Sequence, residues 1–268
     1  MQNFLNMCFA ESPNEPYPAI EIPEIIEAME IIGILHADHE QNASTACVRQ
    51  AGSTGTIPYS AFAAGIATLA GGRHGGANRI VIENLEKIKS TEDIDDCIKR
   101  AADRNDPYLL HGMGHPVYDT YDPRVDFLRQ INIKLQNTFH ITNPLFVYAQ
   151  LLEQRAREHP FFIENNLYPN VDFYSGLSLT ALGFSKEMLT PIFALYRTIG
   201  WAANWLEMVS GKQVPVARAR QRYVGFTPEE RAEAIKQLII RTESCQNRRQ
   251  LALRSRRFPR TAIGLALQ

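Results

Sequence analysis

The fold turns on the stretch KEMLTPIFALYRTIGWAANWLEM, Lys186–Met208. It is long and mostly apolar, so it reads as one helix near the centre of the molecule. One cation, Arg197, interrupts its apolar middle. A guanidinium in that setting needs an anionic partner, because a buried unpaired charge is strongly unfavourable. The partner is either an acid of this chain or a bound anion.

The flanking segments carry the same helical signal. PEIIEAMEIIGIL (Pro23–Leu35) repeats apolar residues at helical spacing. PYSAFAAGIATLA (Pro58–Ala70) is rich in small and apolar residues and suits a buried helix packed closely on its neighbours. It stops at GGRHGGAN, where four glycines surround His74. STEDIDDCIKRAADR has Ser90 or Thr91 as its cap, acids in its first turns, and Lys and Arg toward its end. DPRVDFLRQINIKLQN and NPLFVYAQLLEQRAREH read as two further amphipathic helices. TPEERAEAIKQLII has Thr227 as cap, Pro228 at the first helical position and Glu230 completing a capping box. Strand alternation is scarce and no internal repeat is visible, so the expected fold class is all-α.

Composition narrows the functional classes. The chain has 268 residues, room for one large domain or two small ones, and its 45% hydrophobic content supports a real core. A net charge of -1 argues against a general nucleic-acid binder. No apolar run reaches the roughly 18 residues that span a bilayer, so no membrane partner is expected. The opening MQNFLNMCFA has neither the basic leader nor the long apolar core of a secretory signal. Cys8, Cys47, Cys97 and Cys245 form no C-x-x-C pair, which argues against a disulfide framework or a zinc knuckle. The expected setting is intracellular, cytoplasm or mitochondrion. Between Arg248 and Arg260 stand six arginines and no acid, the pattern of a loosely ordered terminus or of an anion-binding tail.

Several residues stand out as chemistry-bearing. In NLYPNVDFYSG (Asn166–Gly176) the one acid, Asp172, lies among a proline, a valine and three aromatics. Acids keep such company when paired or when they have a task. His36 and His39 in LHADHEQNAST could share a helix face. With Asp38 they permit a metal-dependent hydrolase reading, although the H-E-x-x-H order is absent; the other reading is histidines hydrogen-bonded inside a helix bundle. His74 in GGRHGGAN and His115 in HGMGHPVYDTYDPR lie at glycine-rich turns. Glycine permits positive φ and close approach, so either histidine could present a nitrogen to a substrate oxygen; otherwise the glycines simply end helices. Arg124 follows YDP, and Arg218 and Arg220 lie in VARARQRYVG. Converging with Arg197, such arginines would hold a small di- or tricarboxylate, because the guanidinium fork matches carboxylate geometry. Internal ion pairs are the alternative.

Taken together, LHADHEQNAST, HGGAN, GMGHPVYDTYDPR, YPNVDFYSG and RTIGWAANWLEM…VARARQRYVG resemble the citrate synthase family, in its order and at its approximate spacings, from about Gln2 to about Glu230. The resemblance implies a multihelical fold in which a large and a small helical domain enclose the active site. It makes Asp172 the general base that takes a proton from the acyl thioester. It makes His74 the donor to the thioester oxygen and His115 the group that polarises the ketone of oxaloacetate. His39, Arg124, Arg197 and Arg218 would hold oxaloacetate, the last from the neighbouring subunit of a homodimer. The implied activity is condensation of an acyl-CoA with oxaloacetate, giving citrate or an alkylcitrate and free CoA. Acyl-CoA is then a substrate, and neither cofactor nor metal is implied.

The chain departs from the family pattern in places. Pro116 and Asp119 stand where an arginine and a lysine commonly help to bind the coenzyme phosphates. Proline there resembles the 2-methylcitrate branch, while DFYSG and HADHEQ resemble citrate synthases proper, so acetyl, propionyl and longer donors all stay open. Arg73 replaces a small residue, and RAR replaces RPR. Family members begin well before the segment that opens this chain, so a partial large domain is expected, over 1–86 and 193–268, flanking a small domain over 87–192. Faces that would meet absent helices should be apolar and bare, and dimerisation is in doubt. The competing reading is a truncated, catalytically inactive relative that acts as a binding partner.

Overall fold

The computed structural model describes residues 1–12, 14–211, 215–220, 222, 224–225 and 227–238. The chain divides into two compact units, Met1–Ala217 and Arg218–Gln268.

The first unit is built from helices: α1 (Gln2–Phe9), a 3₁₀ turn (Pro18–Glu21), α2 (Pro23–Ala37), α3 (Ala43–Gly52), α4 (Pro58–Leu69), α5 (Ala77–Leu85), α6 (Thr91–Ala102), α7 (Arg124–Thr138), α8 (Pro144–Glu158), α9 (Pro160–Glu164), α10 (Val171–Ala181) and α11 (Lys186–Val209). No sheet forms among the described residues; extended pairing is limited to isolated bridges such as Met113–Pro169. The fold class is therefore all-α, as the periodicity indicates. No helix among the described residues is long and apolar enough to cross a membrane.

The long apolar segment forms one helix, α11, with Pro191 inside its first turns. It packs against α2, α3, α4, α5 and α10. Close approach depends on glycine. A Cβ on Gly200 would lie 2.3 Å from the Ala37 carbonyl, and one on Gly33 would lie 2.5 Å from the Tyr196 ring. Leu189, Ile192, Tyr196, Phe193 and Trp201 are buried along one side of α11. Leu195, Ile199 and Leu206 lie exposed on its other side. Among the described residues α11 is thus covered on one side only, and its other side presents an apolar face.

A large core joins α2, α5, α7, α8, α10 and α11 around Met29, Ile32, Leu128, Phe162, Phe173 and Leu177. A smaller one joins α3, α4 and α11 through Val48, Ala61, Leu69, Phe193 and Trp201. α4 differs from expectation. Only Ala61, Gly65 and Leu69 are buried, while Tyr59 and Ile66 face outward. Its small residues serve one face, where a Cβ on Gly65 would press to 2.6 Å from Val48.

The caps settle the helix starts. Ser90, not Thr91, caps α6 and forms a capping box with Asp93. In the second unit a helix runs over 228–238, and Thr227 and Glu230 cap it reciprocally. The arginine-rich segment Arg248–Arg260 and Cys245 lie outside the described residues.

Candidate active site

A cavity of about 650 Å³ opens in the first unit, and His39, His74, His115, Arg124, Asp172 and Arg197 all line it. These six come from the loop after α2, the α4–α5 turn, the loop before α7, the starts of α7 and α10, and the middle of α11. Arg218 is exposed in the second unit.

Asp172 occupies the first turn of α10, whose cap is Asn170; the Asn170 side chain accepts the Asp172 N–H at 3.0 Å. A helix N-terminus ordinarily favours a carboxylate. Here desolvation wins. The Asp172 Oδ1 is enclosed and accepts no hydrogen bond among the described residues. Burial pushes the carboxyl up to about 7, against the opposing pull of Arg124 and Arg197. The group therefore holds its proton loosely near neutrality and keeps an oxygen unoccupied, as a base acting on carbon requires.

His115 is held by two glycines with left-handed backbone, Gly112 at φ 84° and Gly114 at φ 79°. The same loop is sewn to the start of α10. Gly114 N–H donates to Tyr168 O at 2.7 Å, Asn170 N–H to Gly112 O at 2.9 Å, and the Asn170 amide to Gly114 O at 2.8 Å. The His115 Nδ1 accepts the main-chain N–H groups of Val117 (3.1 Å) and Tyr118 (3.3 Å). Main-chain protons cannot rotate away, so the neutral ring carries its proton on Nε2. Burial first, then Arg124, holds the His115 pKa below its ordinary value and keeps the ring neutral.

The turn at His74 uses glycine differently. None of its four glycines has a positive φ. They admit neighbours instead: a Cβ on Gly75 would lie 2.6 Å from Leu69, and one on Gly76 would lie 2.5 Å from the Ala70 carbonyl. The His74 Nε2 meets the Ser44 N–H at 3.3 Å and the Ser44 hydroxyl at 2.9 Å. Accepting that N–H puts the proton of the neutral ring on Nδ1. Burial, aided by Arg197, pushes the pKa down to about 4, so His74 is a neutral donor at physiological pH.

Arg197 is 2% exposed. Its Nε donates to the His36 carbonyl at 2.6 Å and its guanidinium lies 4.8 Å from the Phe193 ring centroid. No salt bridge engages it among the described residues, and burial lowers its pKa to about 10, still charged at neutrality. Asp38 and Asp172 attract it through space, but neither forms a salt bridge with it among the described residues. Arg124 differs: the buried Asp122 takes it in a two-point pair, Nε to Oδ1 at 2.9 Å and Nη2 to Oδ2 at 2.7 Å.

His36 is not a site residue. It is 1% exposed, its Nδ1 meets the Ile32 carbonyl at 2.7 Å, and its ring packs edge-on against Phe193. No cluster of three or more His, Cys, Asp or Glu among the described residues could hold a metal ion, so the His36–Asp38–His39 metal reading finds no geometry. His39 faces the cavity instead. Its Nε2 is 3.1 Å from the Tyr118 hydroxyl, and its ring meets His115 at 5.1 Å.

Ser44, Tyr118, Asn170 and Asp122 escaped the sequence reading, each acting through a residue that did not. Asp122 alone carried a signal, an acid two positions before an arginine at a helix start. Of the departures, Pro116 and Arg73 line the cavity, and Asp119 is exposed beyond its wall.

The profile of the family "Citrate synthase, C-terminal domain" matches residues 1–220. Among solved structures, the citrate synthase of Pyrobaculum aerophilum is 36% identical, with a TM-score of 0.72, over 86% of this chain and 55% of that one. The Thermoplasma acidophilum citrate synthase, solved as a ternary complex with carboxymethyl coenzyme A and oxaloacetate, is 32% identical with a TM-score of 0.73, over 84% of this chain and 57% of that one. The Thermotoga maritima citrate synthase is 31% identical with a TM-score of 0.66, over 86% and 60%. The chain thus spans between 55% and 60% of the length of these structures. With its profile match and its helical architecture agreeing, the chain belongs to the citrate synthase family.

Proposed function

We propose that this site condenses an acyl-CoA with oxaloacetate. The observation that carries the reading is the pairing, in one cavity, of a buried cation held in no salt bridge and a buried carboxylate oxygen with no hydrogen-bond donor among the described residues, Arg197 and Asp172. The first fits a carboxylate of oxaloacetate. The second fits a C–H bond.

Asp172 takes a proton from the carbon next to the thioester. The His74 Nδ1–H donates to the thioester oxygen as negative charge develops there. The new nucleophilic carbon attacks the ketone carbon of oxaloacetate. The His115 Nε2–H donates to the ketone oxygen, which becomes the hydroxyl of the product. Each such preorganised donor typically contributes roughly 3–4 kcal/mol to the barrier reduction. Arg124, Arg197 and His39 orient oxaloacetate, and Arg218 of a second subunit completes the set in a homodimer. Water then hydrolyses the citryl thioester and releases CoA. Acyl-CoA serves as substrate, and no separate cofactor takes part.

Within this reading residues 87–192 act as the small domain and residues 1–86 and 193–268 as the large one. The acyl group is acetyl or longer: Pro116 and Asp119 supply no cation for the coenzyme, and Arg73 supplies one beside His74. The ternary complex of the Thermoplasma relative supports the substrate pair. Thiol release from acetyl-, propionyl- and longer acyl-CoA, dependent on oxaloacetate, tests the proposal. Turnover with any donor is the expected result. Oxaloacetate binding without thiol release from any of them would leave a binding protein in place of an enzyme.

A further inference from the structure

Asp122 is 1% exposed, and its carboxylate accepts four hydrogen bonds. Oδ1 takes the Arg124 N–H at 3.0 Å and the Arg124 Nε at 2.9 Å; Oδ2 takes Arg124 Nη2 at 2.7 Å and the Val171 N–H at 3.1 Å. One buried side chain thus accepts the first N–H of α7, grips the guanidinium of its first residue, and reaches the first residue of α10. Asp172 is the next residue along.

We infer that Asp122 is a positioning residue of the condensation site, which fixes the Arg124 fork against the start of α10 and balances the Arg124 charge in front of Asp172. The inference rests on the condensation reading for its consequence, though not for its geometry. Arg124 and Arg197 are the cations that bear on Asp172, and Asp122 is the anion that opposes them. The remaining surroundings of α10 add little charge. His39, His74 and His115 are neutral near pH 7. α5 packs on Gly176 through Asn78 and Ile82. Arg129 and Glu153 form an ion pair with each other and engage Tyr174 on another side of the helix. Asp122 is therefore the counter-charge that keeps Arg124 from turning Asp172 into an ordinary, weakly basic carboxylate.

The test compares Asp122→Asn with wild type by direct carboxyl titration, using carbon-labelled aspartate and NMR, and by the acid limb of the kcat profile. Asparagine keeps the shape and one acceptor while removing the charge. The Asp172 titration and the acid limb should both move down by about one unit, roughly a tenfold loss of proton affinity, and turnover should fall with base strength. An unmoved titration overturns the inference, even if turnover drops, because a purely structural tie would lower activity without shifting the base. Should Asp122→Asn fail to fold, Arg124→Gln and the Asp122→Asn/Arg124→Gln pair carry the same comparison; removing both charges of a buried pair is commonly tolerated better than removing one. Asp172 should titrate higher in Arg124→Gln and return toward wild type in the pair. Identical titration in those two variants overturns it. Absence of thiol release in wild type refutes the condensation reading alone, since the NMR titration still reports on Asp122.

Discussion

Replacing Asp172 with asparagine should do two opposite things, and the opposition makes the test sharp. Condensation should fall by roughly 10²–10⁴, the usual consequence of losing a general base. Oxaloacetate affinity should stay within about twofold, because the base acts on the other substrate. Stability should move the other way at high pH. The carboxyl is raised from 3.8 to about 7 on folding, a difference of about three units, and at about 1.4 kcal/mol per unit the limit is ~4 kcal/mol. The folded protein binds this proton between pH 4 and 7 and the unfolded chain does not, so wild-type stability should fall as pH rises through that window. Asparagine cannot ionise and lacks that slope. Its enclosed amide would cost about 1–3 kcal/mol at every pH. The variant should therefore be the weaker protein at pH 4 and the equal or stronger one at pH 8. Denaturant unfolding of both proteins at pH 4, 6 and 8 gives the comparison. A stability difference independent of pH would show that Asp172 is an ordinary solvated carboxylate, and its assignment as base would fall with it.

Arg197→Met, which keeps the stem and removes the charge, should abolish measurable oxaloacetate binding by calorimetry while leaving the melting temperature equal or higher, since burial disfavours this charge and no salt bridge holds it among the described residues. Installing arginine at Pro116 and lysine at Asp119 should lower the Michaelis constant for acyl-CoA and steepen its dependence on salt, because exposed contacts to a polyanion are screened within about 8–10 Å at ordinary ionic strength; unchanged constants for every donor would remove these positions from the coenzyme site. Gly112→Ala should destabilise by about 1–3 kcal/mol in thermal unfolding, because φ is 84° and the new Cβ would stand 2.9 Å from Val81.

The helices were legible because their signals are local. Apolar periodicity and caps such as Ser90 and Thr227 depend on neighbours three or four positions away. Several of the residues that line the cavity stood out for a related reason: they sit in segments whose composition is odd for a helix bundle, a histidine among glycines or an acid among aromatics. Ser44 and Tyr118 did not, because their work depends on the pairs Ser44–His74 and Tyr118–His39 that only the fold brings together, as it does the reach of Asp122 to Val171. The half-covered state of α4 was hidden for another reason. A small or apolar residue looks the same in sequence whether its helix is packed on one side or on all. The glycines show the same limit. GGRHGGAN and HGMGH look alike as glycine-rich turns, yet the first uses glycine for room and the second for handedness.

The three hydrogen bonds that sew the Gly112–Gly114 loop to the start of α10 bind His115 and Asp172 into one rigid jaw. His74, Arg197 and His39 stand on the opposing jaw, built from the α4–α5 turn, α11 and the loop after α2. Across the cavity the His39 Nε2 meets the Tyr118 hydroxyl at 3.1 Å, and beneath it the large core joins α2, α5 and α11 to α7 and α10. Any change in the gap would carry Asp172 and His115 together relative to His74, preserving the geometry within each group. On the condensation reading, the proton-taking and ketone-polarising groups would be aligned, or thrown out of register, in a single movement.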